Sequence, residues 1–266
     1  MPWLPEFGQV IVEARRGAGL DPARGDGTLA STWPGGVVLD DALAGHLEGP
    51  NAIGAFIDES RLWLHDRGAR ATAVATTISG ARTIGEYNLD LTSADGPVVL
   101  PLAIVAEPDA GNASLSLRTY VSLWALDGSR RSRAPLLQPD ATLNASDIVG
   151  EYLEGLATGD PSKCVACYEP DGCLQGPGGP AYARCGTAVL AAEYAAHLAR
   201  GGIILEHCTM TEDRVRTAVE FNFLRWGDVD LPAQARIAIY ERGTTGRIAR
   251  ARVYDDVGRP LTINSR

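Results

Sequence analysis

Arg82-Thr-Ile-Gly-Glu-Tyr-Asn-Leu89 is a stretch of sequence that returns later in the chain as Arg216-Thr-Ala-Val-Glu-Phe-Asn-Phe223. The offset between the two stretches is 134 residues (216 − 82 = 134), and the same offset relates Glu107 to Glu241. A period of this length exceeds the roughly 20–50 residues of solenoid repeats and is close to the size of an ordinary domain. The repeat therefore predicts two homologous domains in one chain.

A polar segment separates the two copies. The stretch from Asp127 to Pro135 is rich in Arg and Ser, and Gln138-Pro-Asp140 adds a second break without hydrophobic periodicity. The 266-residue chain has room for two domains of about 130 residues. We place these domains at residues 1–135 and 141–266.

The second copy shows a clear order of structural signals. Apolar residues at helical spacing predict a helix over 146–158, and a short helix is expected after Asp160-Pro161. Pro170-Asp171-Gly172 predicts a turn, and a third helix is expected over 187–200. Alternating segments then predict four strands, over 203–211, 215–226, 235–242 and 247–256. Helices followed by strands predict an α+β domain in which helices cover one face of an antiparallel sheet.

This order, together with the ending Arg252-Val-Tyr-Asp-Asp-Val-Gly258, resembles the SnoaL-like family of nuclear transport factor two-like proteins over nearly all of the second copy. The first copy diverges, with Gly35-Gly36 in place of Asp171-Gly172 and Ser122-Leu-Trp124 in place of the Tyr-Asp-Asp ending. The resemblance implies cone-shaped domains, each a curved antiparallel sheet with about three helices around an apolar pocket. It also implies pairing through sheet faces, so we expect a monomer that packs as a pseudo-dimer, or a homodimer.

Known relatives in that family include polyketide cyclases, ketosteroid isomerases, epoxide hydrolases and scaffold proteins, so family resemblance alone does not select a function. We expect a cofactor-independent biosynthetic enzyme of the cyclase, isomerase or epoxide hydrolase type that applies general acid–base catalysis to a small apolar molecule. The alternative is a non-catalytic small-molecule-binding or scaffold protein with the same fold. An enzyme needs a cavity with convergent titratable groups, whereas a scaffold does not.

Two candidate catalytic residues of the second copy have no counterpart in the first. His207 lies on a predicted strand, and Ala73 stands at its offset in the first copy. A strand histidine beside a pocket can exchange protons near neutral pH, although a lone histidine is often a hydrogen-bonded structural group. Asp171 belongs to a turn that faces the pocket mouth in the resembling family. The same Asp-Gly pair is also ordinary turn chemistry.

The third catalytic candidate, Glu220, lies in a polar row on the predicted strand 215–226. Arg216, Glu220 and Asn222 point to one face of that strand, since side chains alternate between faces. If the row lines the pocket, Glu220 is a general acid or base, while Arg216 and Asn222 bind the substrate. If the row lies between two sheets, it is a polar interface, which its retention in both copies favours.

Three tyrosines and one further aspartate complete the candidate site. Tyr168, Tyr194 and Tyr254 can offer hydroxyl groups to a substrate carbonyl or enolate oxygen, or they can fill core space. Asp256 shares a face of the last predicted strand with Tyr254, and the resemblance places an acidic residue near this end of the sheet. We count all four as candidate substrate-binding residues.

Composition excludes several classes of partner. The net charge is −9 and the basic residues form no continuous stripe, so nucleic acid is not expected. No stretch has the length of a membrane span, and we expect a cytoplasmic protein. The five cysteines lie in the second copy, and Cys164-x-x-Cys167 lacks the second pair at two-residue spacing that zinc sites usually have, so we expect neither a metal nor a disulfide. Nucleotide-binding motifs are missing as well, and no cofactor is expected.

Overall fold

The computed structural model describes residues 4–21, 29, 32–94 and 96–254. The chain divides into two compact units, and the second begins at Gly128. In the described part of the chain, each unit holds a six-stranded sheet together with helices. The expected α+β class, in two copies, is confirmed. No described helix has the length and apolar character needed to cross a membrane.

The described part of the first unit has three helices and six strands. The helices are α1 (Leu4–Gly17), α2 (Pro50–Asp66) and α3 (Trp124–Asp127). The strands are β1 (Val37–Asp41), β2 (Gly45–Glu48), β3 (Arg70–Ser79), β4 (Arg82–Ser93), β5 (Gly96–Pro108) and β6 (Leu115–Val121).

The second unit repeats this arrangement with its helices placed ahead of the strand meander, as the sequence pattern predicted. Its helices are α4 (Ile148–Thr158), α5 (Pro161–Ala166) and α6 (Thr187–His197). Its strands are β7 (Tyr168–Gln175), β8 (Arg184–Cys185), β9 (Ile203–Glu212), β10 (Arg216–Trp226), β11 (Val229–Arg242) and β12 (Ile248–Tyr254).

Both sheets are mixed, whereas the sequence pattern had suggested purely antiparallel sheets. The strand order is β2-β1-β6-β5-β4-β3 in the first unit and β8-β7-β12-β11-β10-β9 in the second. The pairs β1–β6 and β7–β12 are parallel, while the long meanders β3–β6 and β9–β12 supply antiparallel strands. The parallel strand was missed because it lies among the helices, far in sequence from its neighbour.

The sheet register corrects one alignment between the copies. Tyr120 pairs with Ala103 and Tyr254 pairs with Ile237, so both residues of the second pair lie 134 positions after those of the first. The counterpart of Tyr254 is therefore Tyr120, and the earlier alignment of Ser122-Leu-Trp124 with the Tyr-Asp-Asp ending is wrong. A three-residue motif gave too little sequence to fix the alignment, whereas the register fixes every residue of the strand.

The predicted turn at Pro170-Asp171-Gly172 is instead a bulge inside β7. Tyr168 pairs with Ile248 and Cys173 with Arg250, so four residues of β7 stand opposite a single residue of β12. Gly172 is required there, because a Cβ atom at this position would lie 2.8 Å from the Ile248 carbonyl oxygen. The same residues that signal a turn can thus signal close approach of two backbones within a sheet.

A disulfide joins Cys173 to Cys185, contrary to the expectation from composition. The two residues stand directly opposite each other on β7 and β8, with Cα atoms 4.1 Å apart. Their separation of 12 residues did not reveal this register. Cys164, Cys167 and Cys208 are buried free thiols, and a buried free cysteine packs as a small apolar residue.

Candidate functional site

A cleft of about 490 Å³ opens in the second unit between α4 and the edge strand β9. One wall is formed by residues 144–147 and the face of α4 that carries Gly150, Glu151 and Glu154. The opposite wall is formed by β9, and His207 is part of it. The predicted catalytic histidine therefore lines a cavity.

The wall formed by α4 is held in place by the residue that begins the helix. Asp147 caps α4, since its Oδ1 accepts a hydrogen bond from the Val149 amide at 2.9 Å. The other oxygen, Oδ2, accepts from Arg242 Nε at 2.6 Å, and Arg242 also donates to Thr217 Oγ1 at 2.7 Å. One carboxylate thus joins the helix start to strands β10 and β11 while it lines the cleft.

The side chain of His207 is half-buried, and its backbone is held by a hydrogen bond. Its carbonyl oxygen accepts a hydrogen bond from the Asp140 amide at 2.8 Å, which ties the segment before α4 to β9. Burial lowers the pKa of His207 below its usual value, and a hydrogen bond to the backbone of Leu143 partly opposes this shift. The imidazole is therefore neutral at pH 7 and able to accept a proton.

The cleft has an apolar floor and an acidic rim. Leu153, Ile203 and Leu205 supply apolar surface. Of the ionisable side chains in its described lining, three are carboxylates, one is His207 and none belongs to Lys or Arg. Two of the carboxylates are already paired, since Asp147 contacts Arg242 and Glu154 contacts Lys163 Nζ at 2.8 Å. Glu151, which is exposed, adds negative charge at the rim.

Asp171 does not join His207 in this cleft. It lies exposed in the bulge of β7, and β7 is separated from β9 by the three strands β12, β11 and β10. It is also not among the residues that line the cleft. His207 and Asp171, which have no counterpart in the first copy, therefore lie on strands toward opposite ends of the same sheet.

The polar row of β10 points away from the helix-covered core of the second unit. Val219, Phe221 and Phe223 belong to that core, so the alternate residues face the other side of the sheet. Glu220 is 1% exposed and accepts a hydrogen bond from Thr209 Oγ1 at 2.7 Å. Asn222 is also buried and donates to the Leu137 carbonyl at 3.3 Å. Neither residue lines the cleft.

The same sheet face carries an Arg–Glu–Arg cluster, of which the sequence pattern had singled out Arg216 and Glu241 but not Arg252. Glu241 accepts hydrogen bonds from Arg216 at 3.1 Å and from Arg252 at 3.0 Å. Burial acts to raise the pKa of Glu241, but the two guanidinium groups outweigh it and lower the pKa below its usual value. An equivalent cluster of Arg82, Glu107 and Arg118 lies 134 residues earlier. The shared cluster indicates a structural role for Arg216.

Tyrosines fill the space between the helices and the sheet of the second unit. The Tyr194 hydroxyl lies 2.9 Å from that of Tyr152 and 2.7 Å from that of Tyr168, so the three hydroxyls form one chain. The Tyr240 ring packs against Tyr152 with centroids 5.3 Å apart. Burial raises the pKa of all four phenols, so the hydroxyls stay protonated. They contact one another in the core, and none lines the cleft.

The remaining candidate residues lie at the end of the sheet. Tyr254 is buried on β12, outside the helix-side core. Asp256 lies outside the described residues. In the described part of the chain, no three His, Cys, Asp or Glu side chains are grouped to hold a metal ion.

Comparison with known proteins gives structural likeness only. No family model matches the sequence, and no curated protein matches it. An NTF2-like protein of unknown function from Cytophaga hutchinsonii is similar to this chain at 17% identity and a TM-score of 0.34, over 44% of this chain and 95% of its own. A protein proposed as a polyketide cyclase from Sinorhizobium meliloti matches at 17% identity and a TM-score of 0.35, over 41% of this chain and 94% of its own.

A third similar structure is an epoxide hydrolase/cyclase-like enzyme with a role in pyran ring formation in the polyether salinomycin. It matches at 17% identity and a TM-score of 0.34, over 40% of this chain and 86% of its own. At this identity the three likenesses concern the fold and not the reaction.

Proposed function

We propose that the second unit binds a small, largely apolar molecule in the α4–β9 cleft and that His207 exchanges a proton with it. The observation that carries this proposal is the position of His207, a neutral and half-buried imidazole in the wall of a cavity. A base held beside a bound substrate typically contributes about 10²- to 10⁴-fold to proton-transfer reactions. Cyclisation, isomerisation and epoxide opening are reactions of this kind.

The lining favours a particular kind of ligand. Leu153, Ile203 and Leu205 match an apolar body, while the acidic rim matches a hydrogen-bond donor or a cationic group. A carboxylate ligand would meet the exposed Glu151 and the paired Glu154 without a compensating Lys or Arg in the described lining. We therefore expect amines and alcohols to bind more tightly than acids built on the same carbon skeleton.

The test compares two histidine variants of the full chain. His207→Gln keeps a polar side chain of similar reach but removes the base. His197→Gln is the matched control, because burial also lowers the pKa of His197, yet this residue contacts Glu193 and Trp226 outside the cleft. Binding is measured by calorimetry against matched amine, alcohol and acid ligands, and turnover of a bound ligand by product analysis.

We expect His207→Gln to lower turnover at least about 100-fold and to change ligand affinity modestly, while His197→Gln does neither. Equal turnover in wild type and His207→Gln would remove His207 from the chemistry. A loss of binding and turnover in both variants would instead indicate a general effect on the fold.

A non-catalytic binding or scaffold protein is the second candidate, and one observation favours it. The interior of the second unit is packed with tyrosine rings whose hydroxyls bond to one another. Tyrosine hydroxyls that bond to one another in the core do not face a ligand in the α4–β9 cleft. Ligand binding that persists in His207→Gln, with no turnover in any variant, would support the hypothesis of a non-catalytic protein.

A further inference from the structure

We propose that the Cys173–Cys185 disulfide is a site of reversible thiol–disulfide exchange, at which an external dithiol opens the bond and loosens β8 and the start of α6. The bond joins β7 to β8, a strand of only two residues at the edge of the sheet. This site is distinct from the cleft, which lies at the opposite edge beside β9.

The accessibility of the bond differs between its two ends. Cys185 is exposed, whereas Cys173 is only 8% exposed. An attacking thiolate must approach a sulfur atom directly, so exposed disulfides exchange faster than buried ones. The Cys185 sulfur is therefore the point of attack, and Cys173 is the leaving thiolate.

The other three cysteines do not compete in this chemistry. Burial raises the pKa of the Cys164 thiol to about 12 and that of the Cys167 thiol to about 11, so neither forms much thiolate at neutral pH. Cys208 is buried, and its thiol contacts the Leu137 carbonyl. Exchange in the folded protein is thus confined to the Cys173–Cys185 pair.

The exchange consists of two successive nucleophilic substitutions at sulfur. The thiolate of the dithiol bonds to Cys185 Sγ, the Cys173–Cys185 bond breaks, and the electron pair leaves on Cys173, which takes up a proton. The second thiol of the reductant then displaces Cys185 as a thiol and closes its own disulfide. The protein cysteines are reduced, the dithiol is oxidised, and an external disulfide reverses both steps.

Few other contacts hold β8 once the bond is open. In the described structure, β8 pairs with β7 at two positions, and Arg184 bonds the exposed side of α6 through Glu193 at 3.3 Å. Two hydrogen bonds tie the start of α6 to the β7 bulge: the Gly186 amide donates to the Gly172 carbonyl at 2.9 Å, and the Thr187 hydroxyl donates to the Pro170 carbonyl at 3.3 Å. The later part of α6 is anchored by the buried Leu190 and Tyr194. Loosening should therefore stop near Leu190.

Two measurements on the full chain test this proposal. First, the native protein is treated with dithiothreitol, then alkylated with iodoacetamide and mapped by peptide mass spectrometry. Second, hydrogen exchange is compared between the oxidised and the reduced protein. We expect alkylation of Cys173 and Cys185 only, with the other three cysteines labelled only in denaturant. We also expect exchange about tenfold faster or more in β8 and the first turn of α6, with β9–β12 unchanged.

The double variant Cys173→Ser/Cys185→Ser should show the fast exchange without reductant, and Cys208→Ser should behave like wild type. If the double variant does not fold, the titration of wild type with dithiothreitol decides alone. Alkylation of Cys173 and Cys185 only after denaturation would overturn the proposal, as would simultaneous labelling of all five cysteines or unchanged exchange in β8. Ligand binding in the cleft should be the same before and after reduction, so the failure of either proposal would be visible without the other.

Discussion

The two units share a framework and differ in their interiors. Their sheets have the same strand order, the same parallel pair and the same Arg–Glu–Arg cluster at an offset of 134 residues. Their helix-covered cores differ, because the first consists mainly of Leu, Ile and Val, whereas the second contains a chain of tyrosine hydroxyls. At the repeat offset, Tyr194 and Tyr240 correspond to the buried Ser60 and Ala106.

The comparison distinguishes residues that maintain the fold of both copies from residues that are particular to the second copy. The sheet framework is retained in both copies, so its polar residues, including Glu220 and its counterpart Glu86, are best explained by structure. His207, the cleft and the tyrosine chain belong to the second unit. Any function specific to one copy should therefore depend on these residues.

The largest expected effect concerns the shared cluster. Glu241→Ala should leave Arg252, whose side chain is 4% exposed, without its carboxylate, and Glu107→Ala should do the same to Arg118, at 3%. A fully buried pair would lose about 3–5 kcal/mol, and these glutamates are about one quarter exposed, so we expect about 2–4 kcal/mol in each unit. Native-state hydrogen exchange reports the loss separately for each sheet.

Glu193→Ala is the control for that comparison, because its pairs with Arg184 and His197 lie near the surface and should contribute less than about 1 kcal/mol. Similar losses for Glu241→Ala and Glu107→Ala would support a shared structural role. A loss confined to one copy would break the equivalence of the two frameworks.

The next effect distinguishes the interiors. Tyr194→Phe removes the central hydroxyl, so the buried hydroxyls of Tyr152 and Tyr168 each lose one hydrogen bond and keep only the one between them. Since a hydrogen bond contributes a net of about 0.5–1.5 kcal/mol and two are lost, we expect the second unit to lose about 1–3 kcal/mol in its free energy of unfolding. Chemical denaturation with tyrosine fluorescence and hydrogen exchange would measure this loss.

Tyr87→Phe in the first unit is the matched control, because the Tyr87 hydroxyl reaches the exposed Gln9 side chain at a long 3.4 Å. Its loss should cost under about 1 kcal/mol. Equal costs for Tyr87→Phe and Tyr194→Phe would show that the tyrosine chain adds no special stability.

The sequence predicted the sheet framework well, because a duplication is visible as a repeated stretch and strands are visible as an alternation of apolar and polar residues. The repeat located β4 and β10, and helical spacing located α4 and α6. Parallel pairing, the β7 bulge and the disulfide were missed because each depends on register between segments distant in sequence. The tyrosine chain was missed for a similar reason, since Tyr152, Tyr168 and Tyr194 meet only after three separate elements pack.

The candidate site could be predicted only in part, because the strand order and the helix-covered face of the sheet depend on contacts between segments distant in sequence. The face alternation of β10 correctly grouped Arg216, Glu220 and Asn222, but it did not say which face the helices cover. The absence of an equivalent in the first copy singled out His207 and Asp171 equally, although only His207 lines the cleft. Position in the sheet order, which separates β7 from β9, was not accessible from the sequence.

The smallest expected effect is a dependence of stability on pH that is confined to the second unit. Burial lowers the pKa of both His207 and His197 in the folded state below the unfolded value near 6.5. The unfolded chain therefore binds protons more readily, so stability is fully present above about pH 6.5 and is lost as the pH falls toward the folded values.

The first unit is the internal control, because the side chains of His46 and His65 are 61% and 87% exposed. Hydrogen exchange between pH 7.5 and 5.5 should show a loss of stability in β9–β12 that is smaller in His207→Gln, with β3–β6 unchanged. If the stability of the second unit rises as the pH falls and this rise is absent in His207→Gln, the imidazole of His207 is held charged and cannot serve as the base in the cleft.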